Sequence, residues 1–493
     1  MKYKKLGGYK NIHFIGIGGV SMSGLAEILH SGGYAVTGSD IKESLFTNRL
    51  KASGVTVAIG HDAGNIAADT DLVVYTAAVK RDNPELAEAL ARNGLRVMDR
   101  AQLLGTLMED YTFPVCVAGT HGKTTTTAML AEIFLAAGRN PTISVGGYLP
   151  SINGNFRCGG SEYFIVEACE YYDSFLNFNP HTGIILNIEP DHLDYFRDLR
   201  HIRESFAAFI KNIRPTGSLV VYGGVPELER LTEGSQCKVI TFGAGTSGGT
   251  GTSGGAGECL WRASGITFGD GASGGDGASG GDGIDRGPEG AVSFDVWRGH
   301  EKLLRQTLKL PGGHNALNAL AAWAAAFELG VSPETIAGAL AGFEGTRRRF
   351  ERKGEFGGVT VIDDYAHHPT EIKATLKAAK NISHNNLWCV FQPHTFSRTK
   401  KLFNELSRAF GLVDKLVVTD IYPARERDTG EVHSSRLVEA LRANGVDAVY
   451  CDTLAAAEEY IYKRCINRDM LITMGAGDVN IIGERLIRRE LST

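Results

Sequence analysis

The chain has 493 residues, with 51 Lys plus Arg against 56 Asp plus Glu for a formal charge of −5. That balance leaves no global positive field for a polyphosphate backbone and speaks against a nucleic-acid binder. At 43% apolar and 22% charged residues the composition is that of globular protein, long enough for three domains of about 150 residues.

No run approaches the roughly 18 apolar residues of a membrane span. The eight cysteines lack any C-x-x-C pair, which fits reduced thiols in a cytoplasm rather than disulfides or a zinc site. From Asn11 to Val97, β-rich runs (IHFIGIG, YAVTGSD, DLVVYTAAV) alternate with helical stretches closed by glycine, the pattern of a parallel sheet wound with helices. Gly16, Gly18 and Gly19 follow the first strand and open a helix, while Asp40 ends the next strand. Glycines so placed admit a pyrophosphate at a helix N-terminus, and the carboxylate can take ribose hydroxyls. Ser21 stands where G-x-G-x-x-G has its third glycine, so the turn points to a nucleotide without saying which.

A second unit opens at FPVCVAG and continues through EYFIVEA, TGIILNI, SLVVYG and KVITFG. Between its first strand and a helix lies AGTHGKTTTT, which reads as a P-loop. Amides of Gly119, Thr120, His121, Gly122, Lys123, Thr124 and Thr125 can wrap phosphate oxygens, Lys123 can neutralise them, and the Thr124 hydroxyl can reach Mg²⁺. Val117 replaces the first glycine of the usual pattern, so this loop is shorter. Glu167 and Glu170 end one later strand, and Asp191, His192 and Asp194 another, where carboxylate and imidazole suit Mg²⁺ or charge screening. Taken alone, each acidic cluster is more often a solvated turn, but its position after a P-loop favours the metal or screening role.

Residues 243–290 degenerate into Gly, Ser, Ala, Thr and Asp, predicting a solvated loop rather than a calcium β-roll, since two GDGASG copies cannot stack into a solenoid. Replacing 246–283 by a short linker is expected to change stability little. A third unit reads VTVIDDY, LWCVFQP, KLVVTDIY, DAVYCD and DMLITMGAG. Here RRRF, DDYAHHPTE and FQPHTFSRT bring Arg, Asp and His to strand ends, which suits an anionic substrate or product. His368-Pro369 could equally just begin a helix. The domains are placed at 1–106, 107–344 and 345–493.

In order along the chain, GIGGVSMSGLA, AGTHGKTTTT, DHLDYF, HNALNAL, DDYAHHPTE, FQPHTFSRT and GAGD resemble the bacterial Mur ligases over nearly the whole length. The resemblance implies an α/β protein of three domains, each a mostly parallel sheet wound with helices. The Rossmann-like first domain would bind the UDP end of UDP-N-acetylmuramate through Gly16, Gly18, Gly19, Ser21 and Asp40. The P-loop ATPase-like central domain would bind ATP, and the Rossmann-like last domain would complete an amino-acid site. ATP would phosphorylate the lactyl carboxylate to an acyl phosphate, which the amine of L-alanine attacks, releasing ADP and phosphate.

Carried over position by position, the resemblance makes Lys123, Glu167, His192 and Arg349 catalytic, with Thr124, Glu167 and His192 holding Mg²⁺. His314, Asn315 and Asn318 would meet adenine, Asp364 the ATP ribose, and Arg349 the γ-phosphate. Tyr365, His367, His394 and Arg398 would surround L-alanine. Phe206 occupies the position of a carbamoylated lysine in later-acting members, which points to the alanine-adding branch. Thr395 replaces an arginine found in some of that branch and leaves more of the carboxylate recognition to Arg398. A cytoplasmic monomer or weak homodimer in peptidoglycan precursor synthesis is expected. Among competing readings, a tripeptide-adding recycling ligase is disfavoured by FQPHTFSRT, and a nicotinamide dehydrogenase leaves the P-loop idle. A non-catalytic nucleotide module would not need Glu167 and His192.

Overall fold

The structure, a computed structural model, describes residues 3–490 except 77, 246–258, 270–288 and 425. The chain divides into two units, Met1–Ile188 with Ile202–Ile240, and Glu189–His201 with Thr241–Thr493.

The first unit opens with five parallel strands, β1 (Asn11–Ile15), β2 (Ala35–Asp40), β3 (Thr56–Ile59), β4 (Leu72–Tyr75) and β5 (Arg96–Asp99), in the order β3-β2-β1-β4-β5. Ile12, Phe14, Ile15, Leu72, Val73 and Val74 are buried, as expected where helices cover both faces of a parallel sheet. His13 interrupts this apolar run. It is buried, with Nδ1 2.9 Å from the Thr37 hydroxyl and Nε2 donating to Glu85 at 3.4 Å. The Glu85 carboxylate, also buried, accepts from Ser39 Oγ and Asn65 Nδ2, both at 2.5 Å, and from the Asp62 N–H at 3.2 Å. Burial pushes the Glu85 carboxyl up, but the hydrogen bonds from His13, Asn65 and Ser39 outweigh it and hold the pKa down at about 2. The network ties the end of β2, where Asp40 sits, to the helix Pro84–Ala91.

Six further strands follow in this unit: β6 (Phe113–Ala118), β7 (Thr142–Leu149), β8 (Gly154–Arg157), β9 (Tyr163–Glu167), β10 (Thr182–Ile185) and β11 (Ser218–Tyr222). They run parallel in the order β11-β10-β6-β9-β7, with β8 antiparallel beyond β7. Register places Val117 opposite Glu167 and Ala118 opposite Ile185. The loop leaving β6 is therefore flanked by the ends of β9 and β10.

In the second unit the end of β12 (Lys238–Ala244) pairs with β13 (Trp261–Phe268), which continues antiparallel into β14 (Val292–Arg298) and β15 (Glu301–Leu308). The expectation of one solvated loop from 243 to 290 is thus corrected, because a paired strand lies inside it. Its Trp261 and Ala263 are fully buried, with the Trp261 ring 5.3 Å from Phe327. The alternation W-R-A-S marks a half-buried strand, but the glycine-rich flanks swamp it in a compositional reading. Replacing 246–283 would delete β13, so the expectation of little change in stability is withdrawn. The remaining glycine-rich residues, 246–258 and 270–288, lie outside the described residues.

The last sheet holds β16 (Glu351–Phe356), β17 (Val359–Asp364), β18 (Leu387–Phe391), β19 (Lys415–Val418), β20 (Ala448–Tyr450) and β21 (Met470–Met474), in the order β16-β17-β21-β18-β19-β20. Only β16 runs antiparallel. Separate apolar clusters cover its two faces, one around Phe391 and Phe410, the other around Val390 and Leu471. No helix among the described residues is long and apolar enough to cross a membrane. The α/β class read from the sequence is the class observed.

Candidate active site

The glycine turn after β1 has Gly16 at φ 79° and leads through Gly19 into the helix Val20–Ser31. The Gly18 N–H donates to Asp40 Oδ2 at 2.8 Å, and a Cβ at Gly18 would stand 2.9 Å from that same oxygen. Only glycine lets the turn approach the carboxylate so closely. Ser21 accepts from Arg100 Nη1 at 3.2 Å, and Arg100 carries no local signal that would have marked it.

After β6, Gly122 adopts φ 85° and caps the helix Lys123–Ala136. Asn187 pins the loop: its Oδ1 accepts from the His121 N–H at 2.8 Å and its Nδ2 donates to the His121 carbonyl at 3.0 Å. Thr120 N–H adds a bond to the Asn187 carbonyl at 3.2 Å. The Lys123 ammonium folds over the loop, donating to the carbonyls of Gly119 (2.5 Å) and Thr120 (3.1 Å) and to the Glu170 carboxylate at 2.9 and 3.1 Å. Burial works against its charge, but Glu170, with Cys169 and Glu167, outweighs burial and holds its pKa above the ordinary lysine range. Glu170 thus neutralises the loop lysine.

Thr124 Oγ1 donates to Glu167 Oε1 at 3.1 Å, and the Gly146 N–H donates to Glu167 Oε2 at 2.7 Å. A Cβ at Gly146 would fall 2.5 Å from that carboxylate. A hydroxyl and a carboxylate fixed side by side are a donor pair that suits Mg²⁺. Thr125 is buried in the first turn. His192, the third residue expected at the metal, belongs to the second unit. There it adopts φ 50° and donates its N–H to Asp191 Oδ1 at 2.7 Å.

In the second unit His314 is exposed at the opening of the helix Gly313–Glu328. Asn315 and Asn318 are buried beside it, with Asn315 Nδ2 donating to the Pro311 carbonyl at 2.7 Å and Asn318 Nδ2 to Asn315 Oδ1 at 3.2 Å. Asp364, at the end of β17, is buried and accepts from the N–H groups of Phe350 (2.9 Å) and Ala366 (2.7 Å). Burial lifts its pKa to about 6 against the pull of Arg349 and these N–H groups.

The RRRF run splits its roles. Arg348 donates to Asp363 at 3.0 Å and to the carbonyls of Gly477 (2.9 Å) and Gly475 (2.7 Å), which locks it to the sheet ends. Arg349 is less committed, 3.8 Å from Glu371, and both guanidiniums lie over the Tyr365 ring, at 5.0 and 5.3 Å. Gln392 and Asp478 exchange two hydrogen bonds, at 2.8 and 2.9 Å, which explains the GAGD motif as a tie between β18 and β21.

Strands β17 and β18 bring Tyr365, His367, His394 and Arg398 together. The His367 ring lies 5.6 Å from Tyr365 and 5.9 Å from His394, and His394 stacks on Tyr422 at 5.7 Å and 13°. Arg398 reaches His394 Nδ1 at 3.0 Å and Asp191 Oδ1 at 3.6 Å. Burial pushes both imidazoles down to about 4, with Arg398 pushing the same way. For Asp191 burial acts upward, yet His192, Arg398 and His367 outweigh it and hold the carboxyl below the usual range. Tyr422 and Asp191 complete this cluster. Asp191 was legible in DHLD as an acidic group but not as the partner of Arg398, and nothing local marks Tyr422.

The chain matches the Mur ligase family, catalytic domain, over residues 11–112, the Mur ligase middle domain over 117–326, and the Mur ligase, glutamate ligase domain over 348–477. It is 46% identical to the UDP-N-acetylmuramate–L-alanine ligase of Acetivibrio thermocellus, covering 97% of this chain and 96% of that one. The enzyme of the same name from Clostridium perfringens is also 46% identical, over 97% and 98%. Among solved structures, the UDP-N-acetylmuramate-alanine ligase of Thermotoga maritima superimposes with a TM-score of 0.76 at 29% identity, covering 98% of this chain and 99% of that chain. A murein peptide ligase from Psychrobacter arcticus gives 0.65 at 27%, over 97% and 98%. With three family domains matched in order across these strands and loops, the chain belongs to the Mur ligase family.

Proposed function

We propose that this chain is an ATP-dependent ligase that joins L-alanine to the lactyl carboxylate of UDP-N-acetylmuramate, a step of peptidoglycan precursor synthesis. The observation that carries the reading is the set of three strand-end sites, a glycine turn with Asp40, a P-loop with a Thr124–Glu167 pair, and a cluster of His367, His394 and Arg398. Relatives 46% identical over 97% of the chain carry the matching name. The domains are assigned to 1–106, 107–344 and 345–493; the second boundary falls in the gap between family matches at 327–347, whereas the first lies inside the match over 11–112.

In this reading Gly16, Gly18, Gly19, Ser21 and Asp40 hold the UDP moiety. Amides from Gly119 to Thr125 cradle the ATP phosphates, and His314, Asn315, Asn318 and Asp364 frame its nucleoside. Mg²⁺, held by Thr124, Glu167 and His192, would supply charge neutralisation at the transferring phosphoryl group. Lys123 would exchange part of its contact with Glu170 for phosphate oxygen. Arg349, with few bonds of its own, is suited to the γ-phosphate as charge develops. Tyr365, His367, His394 and Arg398 receive L-alanine, whose amine attacks the acyl phosphate. Phe206 is fully buried, its ring 5.2 Å from Phe175, and offers no amine for a carbamate. The eight cysteines are free thiols, in keeping with a reducing cytoplasm, and a monomer or weak homodimer is proposed.

Phosphate release measured with UDP-N-acetylmuramate, ATP, Mg²⁺ and each amino acid in turn tests the proposal. L-Alanine should support turnover and the murein tripeptide should not. Turnover with the tripeptide alone would assign the chain to recycling, and turnover with neither would end the ligase reading.

A further inference from the structure

Resting on the proposed amino-acid site, we infer that His367 and His394 are held in opposite neutral tautomers, and that this difference reads the two ends of the incoming amino acid. His367 Nδ1 lies 2.9 Å from the Tyr365 carbonyl oxygen and 3.5 Å from Glu371 Oε2. Both partners are pure acceptors, so the ring proton sits on Nδ1 and Nε2 presents a lone pair. His394 Nδ1 lies 3.0 Å from Arg398 Nη1. A guanidinium only donates, so here Nδ1 is the acceptor and the proton sits on Nε2. Among the described residues neither Nε2 makes a hydrogen bond, and the ring centroids are 5.9 Å apart at 60°.

The cluster therefore has an accepting wall, His367 Nε2 with Glu371 behind it at Nδ1, and a donating wall, His394 Nε2–H beside Arg398. The depressed basicity of both rings keeps them neutral near pH 7, which preserves the contrast. An α-ammonium group only donates and an α-carboxylate only accepts, so one orientation satisfies both walls. The reverse orientation sets carboxylate against lone pair and leaves polar groups unpaired, the strongest basis for rejection in a polar site. Glu371 acts here as a positioning residue, and the Tyr365 backbone carbonyl joins it in setting the His367 proton.

Two measurements on the full chain test this. Long-range ¹⁵N–¹H correlation of the histidine rings should show His394 protonated at Nε2 and His367 at Nδ1. The same tautomer in both rings, or the reverse pair, overturns the inference. In kinetics, Asn places its polar atoms near Nδ1 and Gln places them near Nε2. H394N keeps an acceptor for Arg398 but loses the outward donor, and should raise the L-alanine KM about 10-fold or more, as expected for a lost hydrogen bond to a charge. H394Q should recover most of that loss. H367N and H367Q should follow the same split, with the ATP KM steady in all four. L-Alaninamide, which lacks the carboxylate, should feel H367N but hardly H394N. Wild-type L-alanine KM values in both Asn variants overturn the inference alone, whereas a wild-type chain that releases no phosphate with L-alanine overturns the reading beneath it.

Discussion

The glycine-bearing loop after β6 and the histidine cluster beyond β17 and β18 both sit at the carboxyl ends of parallel strands, yet they are assembled in different ways. The loop is local: seven consecutive residues, Gly119 to Thr125, supply its amides, and Asn187, Glu170 and Glu167 brace it. The cluster is distributed, drawing Asp191, Tyr365, His367, Glu371, His394, Arg398 and Tyr422 from separate segments. In the loop one cation, Lys123, is matched by one carboxylate, Glu170. In the cluster Arg398 is shared between an imidazole and Asp191. A site made of backbone amides tolerates changes around it, while a site made of converging side chains depends on every element that carries one.

The largest expected effect falls on neither site and sets the scale for both. Trp261→Ala empties a fully buried ring position in β13 and should cost about 3–5 kcal/mol of stability, measured by denaturant unfolding, with the KM values of the folded fraction unchanged. A loss under 1 kcal/mol would mean that β13 adds little to the core. Lys123→Ala should lower turnover by roughly 10²–10³, as for loss of one preorganised charge, in a chain that still folds but melts at a lower temperature, because the buried Glu170 loses its partner. Folded protein with wild-type turnover would remove the ATP assignment.

Arg398→Ala probes the distributed site. Loss of a charged hydrogen bond, about 1.5–3 kcal/mol, should raise the L-alanine KM by roughly 10–150-fold and leave the ATP KM in place. It also strips Asp191 of its partner, so Asp191→Asn combined with Arg398→Ala should be less than additive in stability. An L-alanine KM unmoved by Arg398→Ala would put the carboxylate anchor elsewhere.

A smaller effect separates pH sensitivity from the sites themselves. The Glu85 pKa is lowered from 4.5 to about 2, so its contribution to stability is complete above pH 4.5 and is lost as pH falls toward 2. Glu85→Gln should flatten the stability profile across that window, and an unchanged slope would place the acid sensitivity in other carboxylates. The smallest effect is none at all: with Phe206 where a carbamoylated lysine would stand, depleting bicarbonate and CO₂ should leave turnover as it was. A requirement rescued by bicarbonate would contradict the alanine-adding assignment.

Much of this protein was determined by local pattern. The β-rich runs gave the strands at Asn11–Ile15, Phe113–Ala118, Tyr163–Glu167, Leu387–Phe391 and Met470–Met474, because a strand buried on both faces must be a short apolar run. The two glycine-bearing turns were equally legible, because a backbone that must enter left-handed space or approach a carboxylate closely leaves a glycine behind. Tertiary structure alone decided the partners. That Glu170 rather than solvent balances Lys123, that Arg348 binds the sheet while Arg349 stays available, and that Tyr422 lies under His394 all depend on the register of strands distant in sequence. β13 shows the converse limit: its alternation was present, but a composition count over 243–290 averaged it away, and only pairing with β14 and burial of Trp261 make it a strand. Periodicity and backbone conformation are written residue by residue, whereas a charge acquires its counter-charge, and a histidine its tautomer, only when the chain has folded.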